Sequence, residues 1–504
     1  MTNTLHDALF AARAGADAPF LYLPGRDDLS RADFARLSAR YATTLGALGL
    51  KPGDRLALQV EKSAEALALY AACIAAGVVF LPLNTAYTPA EIGYFLTDAE
   101  PALAICDPAA EPALRPLADA AGARLMTLDS AGGGSFPAAA EGAAERFAPV
   151  PRGADDLAAL LYTSGTTGRS KGAMLTHGNL LSNARALAAE WRFTDADVLL
   201  HALPIFHAHG LFVACNVVAL TGGAMIFLPK FAPGPVLQAL PHATAMMGVP
   251  TFYTRLLAEP RFDRAAAAHM RLFVSGSAPL LAETHVAFEA RTGHRILERY
   301  GMTETGMNSS NPYEGERRAG TVGFPLPGVE LRVVNPDTGT PLPDGEIGMI
   351  EVKGPNVFAG YWRMPEKTAE EFRADGFFVT GDLGRVDGDG YVHVVGRQKD
   401  LVISGGFNVY PKEVELVLDG LPGVLESAVV GVPHPDFGEA VLGLVVPEPG
   451  QAPAPETLQQ EAARQLANYK RPKRLILLEE LPRNTMGKVQ KAALRERFAG
   501  LFTG

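Results

Sequence analysis

The sequence predicts an α/β protein: a large N-terminal domain of α/β layers with mostly parallel sheets, followed by a small α+β C-terminal domain. Three observations carry this. At 504 residues, 48% hydrophobic and 20% charged, the chain has ordinary globular composition and is too long for one compact core. Up to about residue 400, short apolar runs alternate with helix-like stretches, the signature of layered α/β structure with parallel strands. From 401 onward the pattern changes to a compact α+β arrangement of about 100 residues, a usual domain size.

Taken in order, residues 55–59 read as a strand and 64–76 as a helix. The longest uncharged run is 66–83, and a spanning helix requires roughly 20 apolar residues. Gly77 and Pro82 interrupt it, its first half is Ala-rich, and 78–81 is β-prone. A buried helix running into a buried strand is therefore expected, not a membrane span. Residues 102–106, 198–203 and 224–228 read as further strands, and the Ala/Gly/Pro-rich stretch 131–156 as a loop or connection between lobes. No internal repeat is present. In the last part, 411–418 and 455–466 read as helices, and 424–432 and 442–446 as strands.

The bulk numbers also exclude functions. A net charge of -10 argues against nucleic acid as a partner, because that binding rests on clustered Lys and Arg. Cys73, Cys106 and Cys215 show no CxxC pairing, so neither a disulfide framework nor a zinc site is expected, and a reducing, cytoplasmic setting fits. Residues 1–15 lack the basic and apolar regions of a signal peptide.

Chemistry is concentrated first at 160–172, LLYTSGTTGRSKG, where an apolar strand opens into a loop ending in Lys171. Gly165 and Gly168 let backbone N–H groups approach phosphate oxygens, the hydroxyls of Thr163, Ser164, Thr166 and Thr167 can donate, and Lys171 supplies a point charge. Ser170 stands where the Walker pattern requires Gly. The string resembles the phosphate loop of the adenylate-forming superfamily, which contains acyl-CoA synthetases, peptide-synthetase adenylation domains and beetle luciferases.

The resemblance continues in the family's order along nearly the whole chain. YGMTE at 300–304 is similar to the element whose Thr meets the α-phosphate and whose Glu helps hold Mg²⁺, which implies those roles for Thr303 and Glu304. FVTGD at 378–382 implies a ribose contact for Asp382, since a carboxylate suits a diol. SGSA at 275–278 resembles the adenine-contacting loop, implying Ser277 and Ala278. GRQKD at 396–400 resembles the interdomain hinge, with Arg397 on the nucleotide and Lys399 absorbing the rotation, and SGGFN at 404–408 resembles the loop used for thiol transfer. PRNTMGK at 482–488 implies that Lys488 is the catalytic lysine. The implied domains are 1–396 for nucleotide and acyl binding, a hinge at 397–400, and a mobile catalytic-lysine domain at 401–504. The resemblance implies ATP and Mg²⁺ as cofactors and coenzyme A as co-substrate.

Within that superfamily, PIFHAHG at 204–210, GVPTFYTR at 248–255 and LERY at 297–300 resemble the malonyl-CoA synthetases. Buried arginines beside a small acyl pocket are costly unless an anion meets them, so Arg255 and Arg299 are expected to hold the second carboxylate of a dicarboxylic acid. His207 is expected to line the acyl channel, with Ala208 and Met307 shaping it. Ala208 departs from the Thr that relatives often carry, which makes room for methylmalonate beside malonate. The setting of Lys488 resembles sites modified by protein acetyltransferases, implying an acetyltransferase and deacetylase as partners. Rival readings are a ligase for another small acid, a stand-alone carrier-loading adenylation enzyme, a luciferase-like oxygenase and a nucleotide sensor without catalysis. The joint presence of Lys171, Glu304, Asp382, Arg397 and Lys488 speaks against the sensor.

Overall fold

The Ala-rich run forms a helix, Ala64–Ala76, buried along its whole length, with the Ser63 side chain accepting from the Ala66 N–H at its start. Gly77, at φ +70, ends it in the left-handed conformation that glycine adopts without strain. The chain then enters the buried strand Val79–Pro82. Among the described residues no helix is long and apolar enough to cross a membrane. The structure, a computed structural model, describes residues 2–163, 170–405, 407–484 and 487–502.

Among those residues the strands form four sheets. One runs Arg124–Thr127, Leu103–Cys106, Arg55–Gln59, Val79–Pro82, Leu157–Thr163, Lys171–Thr176; its members pair in parallel except the last two, which pair antiparallel. A second has a parallel centre of Leu297–Met302, Leu272–Ser275, Ala245–Gly248, Val198–His201, Ala224–Phe227 and Pro19–Tyr22, with antiparallel strands at both edges. Its core includes Tyr253, Phe262, Phe273 and Phe288, each fully buried aromatic contributing about 1.5–3 kcal/mol. The expected α/β layers with mostly parallel sheets are therefore present. The stretch 131–156 is mainly loop but holds a short helix, Ser135–Ala139.

Contacts divide the chain into two compact units, Met1–Leu331 with Val352–Phe378, and Arg332–Glu351 with Val379–Gly504. The second unit carries residues 379–386 of the strand Phe378–Val386, which pairs antiparallel with Val392–Arg397. It also holds a sheet of Phe407–Val409, Val402–Ser404, Gly438–Pro447 and Val424–His434, joined by Arg474–Leu477, with apolar cores formed around Val429 and around Val430. The 397–400 segment lies inside this unit by packing, and the unit recruits 332–351 from far upstream.

Candidate active site

In the first unit, two groups of charged side chains have opposite character. One gathers around Arg299 on the strand Leu297–Met302. Arg299 is 4% exposed, and among the described residues its Nε and Nη2 have no hydrogen-bond partner. Burial pushes its pKa down to about 9. The guanidinium lies against the Gly276 backbone, where an added Cβ would fall 2.3 Å from Arg299 Cζ. Beside it, Ser277 adopts φ +71, a conformation that typically costs about 1–3 kcal/mol and clusters at functional sites. The Ser277 hydroxyl meets His209 Nδ1 at 3.3 Å.

His209 is buried with its Nε2 unpartnered; burial, then Arg299, His207 and His201 in turn, hold its pKa well below the ordinary value. It begins a π-helical segment, His209–Cys215, a rare geometry often found at functional sites. An inner support lies behind that segment. Lys62 is buried, its Nζ 2.7 Å from His201 Nδ1 and 2.8 Å from the His201 carbonyl, and His201 Nε2 lies 2.8 Å from the Gly210 carbonyl. Desolvation pushes the Lys62 pKa well down, with no carboxylate contributing. Sequence reasoning missed Lys62, since a Lys–Ser pair before a helix carries no signal of burial.

The expectation that both arginines are buried holds for Arg299 and fails for Arg255. Arg255 is exposed, on the outer side of the helix Pro250–Leu257 whose Tyr253 and Leu256 face inward, and its guanidinium stacks 5.0 Å from the Phe231 ring centroid. Ala208 and Thr303 line one cleft with Phe212, Asn183 and Asn356, so an acyl-side and a phosphate-side candidate do meet. His207 is half-buried, its Nδ1 3.2 Å from the His209 N–H nitrogen. Met307 is buried, its backbone clasped by Asn183 at 2.9 and 3.1 Å.

The second group surrounds Lys171, and here the charges are paired. Segment 359–362 bonds to the strand Lys171–Thr176 through Ala359 N–H to Met174 O and Trp362 N–H to Gly172 O, at 2.9 and 2.8 Å, which sets Tyr361 beside Lys171. Lys171 Nζ lies 2.9 Å from Glu371 Oε1 and 4.0 Å from the Tyr361 ring centroid. The Tyr361 hydroxyl lies 2.7 Å from Glu371 Oε2 and 3.2 Å from Glu304 Oε1; Thr163 Oγ1 donates to that same Glu304 oxygen at 3.3 Å. Burial, then Glu304 and Glu371, push the Tyr361 hydroxyl far up, so it stays protonated. Neither Tyr361 nor Glu371 was singled out in the sequence, because their contacts with Lys171 span 190 and 200 positions, with no local pattern. Ser164, Gly165, Thr166, Thr167 and Gly168 lie outside the described residues. Ala278 is half-buried beside Ser277.

In the second unit, Asp382 is buried within Phe378–Val386, a strand where a turn would be the ordinary reading of Gly–Asp. Arg397 Nε lies 3.1 Å from Asp382 Oδ1. Lys399 is lowered by burial and then by Arg397, while Asp400 pairs with Arg495. The Lys488 N–H donates to Asn484 Oδ1 at 2.9 Å. Desolvation first, then Arg397, lower the Lys488 pKa to about 8, although the residue is exposed and solvent therefore screens part of that effect.

The comparisons agree with this architecture. Residues 9–362 match the AMP-binding enzyme family and residues 413–488 match the C-terminal domain of AMP-binding enzymes. The chain belongs to the AMP-binding enzyme family. It is similar to MatB from Rhodopseudomonas palustris, solved with ATP bound, at 57% identity across 100% of both chains with a TM-score of 0.98. A feruloyl-CoA synthase of an Amycolatopsis species is 40% identical over 94% of this chain and 95% of the relative. A malonate–CoA ligase of Arabidopsis thaliana is 36% identical over 89% of this chain and 78% of the relative.

Proposed function

We propose that this protein ligates a short dicarboxylic acid, malonate first and methylmalonate second, to coenzyme A through an acyl-adenylate, releasing AMP and pyrophosphate. The observation that carries the reading is the buried Arg299 guanidinium with two unpartnered nitrogens. A buried, unpaired cation is expensive, and a carboxylate answers it bidentately. Ligation consumes one carboxylate, so only a diacid keeps a second one for Arg299. A feruloyl acid, with a single carboxylate, leaves nothing anionic there. The malonate–CoA ligase and the ATP-bound relative support both ends of the reaction.

In this reading a malonate oxygen attacks the α-phosphorus of ATP, and pyrophosphate departs toward Thr163, the 164–168 loop and Lys171. Lys488 offsets the negative charge gathering on the reacting oxygens, and Thr303 meets the α-phosphate. Asp382 takes the ribose, Arg397 the nucleotide, and the 275–278 loop the adenine. Glu304 would hold Mg²⁺: its buried carboxylate meets two neutral hydroxyls, a setting that suits a hard cation. Bound there, Mg²⁺ would neutralise phosphate charge. The coenzyme A thiolate then attacks the acyl-adenylate beside His207 and releases AMP. Rotation about Lys399 exchanges the surroundings of the adenylate between the two steps, and acetylation of Lys488 by a protein acetyltransferase removes the charge needed for the first. The three free, buried cysteines support a cytoplasmic setting.

The test is an acid panel of acetate, malonate, methylmalonate, succinate and octanoate with ATP and coenzyme A, following pyrophosphate and thioester. Malonate is expected to lead. Equal use of acetate and malonate sinks the dicarboxylate reading.

A further inference from the structure

Glu371 closes the helix Pro365–Glu371 and sits where three side chains converge on one carboxylate. Its Oε1 lies 2.9 Å from Lys171 Nζ and 3.2 Å from Lys367 Nζ, and its Oε2 lies 2.7 Å from the Tyr361 hydroxyl. The pair with Lys171 is substantially shielded, the side chains being 12% and 20% exposed. Burial alone would raise the Glu371 carboxyl, but Lys171 and Tyr361 together hold it below its ordinary value. The phenol has one proton and two carboxylates within reach. The shorter contact assigns it to Glu371, leaving Thr163 to donate to Glu304.

We propose that Glu371 competes with phosphate oxygens for the Lys171 ammonium, and so sets how tightly pyrophosphate is held and how readily it leaves. The inference rests on the reading that Lys171 meets the polyphosphate. An ammonium bound to a carboxylate must give up or share that bond to grip an anion, so the apparent affinity falls by the stability of the pair. Stranding a shielded carboxylate is ordinarily the obstacle to such an exchange. Here it is not, because Glu371 keeps Lys367 and Tyr361 when Lys171 turns to phosphate. The return of the ammonium to Glu371 then favours release of pyrophosphate, and no bond or proton changes hands.

The experiment is calorimetric binding of magnesium pyrophosphate to the full chain, with AMP as the control because it lacks the β and γ phosphates. Glu371→Gln is expected to bind pyrophosphate about tenfold tighter, as loss of a charge-assisted contact of roughly 1.4 kcal/mol implies, with AMP unchanged. Glu371→Asp, which keeps the charge, is expected to return toward the wild type. On a Lys171→Gln background the Glu371→Gln change is expected to have no effect, a cycle that separates competition from damage to the fold. Unchanged or weaker pyrophosphate binding by Glu371→Gln overturns the proposal, as does a full effect without Lys171. If the cycle holds while the wild type releases no pyrophosphate with any acid, the ligase reading falls and the competition stands.

Discussion

The groups around Arg299 and around Lys171, the proposed acid and phosphate ends of the first unit, treat charge in opposite ways. Around Arg299, His209 and Lys62 the positive or potentially positive groups are buried, with the pKa of each pushed down by burial and no carboxylate contributing. Around Lys171 every cation meets an anion: Glu371 serves Lys171 and Lys367, and Tyr361 bridges toward Glu304. The difference teaches what each end demands of its ligand. An unpaired cationic pocket is complete only with an anionic substrate and discriminates by that need. A paired one is stable by itself and binds by exchange, which suits a product that must leave.

The largest expected effect breaks the acid end. Arg299→Ala should lower malonate adenylation by roughly 30-fold to 1000-fold, the loss of about 2–4 kcal/mol from a buried charge-assisted contact, while the KM for ATP holds. Arg299→Met, which removes the unpaired buried charge and keeps most of the volume, should show the same loss with no fall in Tm. Thermal unfolding beside pyrophosphate release checks both, and a matching loss of ATP affinity would show that the two ends are not separate.

A smaller effect sharpens the comparison through pH. Lys488 is a cation whose pKa is lowered to about 8, so its charge is present below that value and lost as pH rises through it. The kcat/KM for malonate adenylation should therefore fall above pH 8, approaching tenfold per unit, because that parameter reports the free enzyme. Thioester formation from supplied malonyl-adenylate should lack this alkaline limb. A profile flat to pH 10 shows that the Lys488 ammonium is not destabilised in the free enzyme, and its charge-stabilising role is then judged by Lys488→Ala, which should lose adenylation and keep thioester formation. The smallest effect concerns Arg255. It is exposed and already stacked on Phe231, so Arg255→Ala should change the KM for malonate far less than Arg299→Ala changes adenylation. A loss as large as that of Arg299→Ala would restore it as an equal ligand.

These contrasts also show what a sequence can and cannot reveal. Ala64–Ala76 and the strand after it are legible because composition, Gly77 and β-prone residues agree locally. Arg299 is legible only through its place in LERY beside YGMTE, by resemblance, and the strand that buries it was not read from the sequence. The exposure of Arg255 was within reach too: Tyr253 and Leu256 define the inner side of a short helix, and 255 falls between them on the other. The meeting of Lys171 with Tyr361 and Glu371 was not, since it depends on strand pairing between 171–176 and 359–362. The union of 332–351 with 379–504 is non-local in the same way.

The contact between Gly276 and Arg299 makes the smallest residue in the loop a part of the pocket floor. Since a Cβ at 276 would fall 2.3 Å from the guanidinium carbon, a single methyl group there and an arginine in this pose exclude each other. A side chain at 276 should therefore push the Arg299 guanidinium out of this pose, and so break its proposed grip on a second carboxylate.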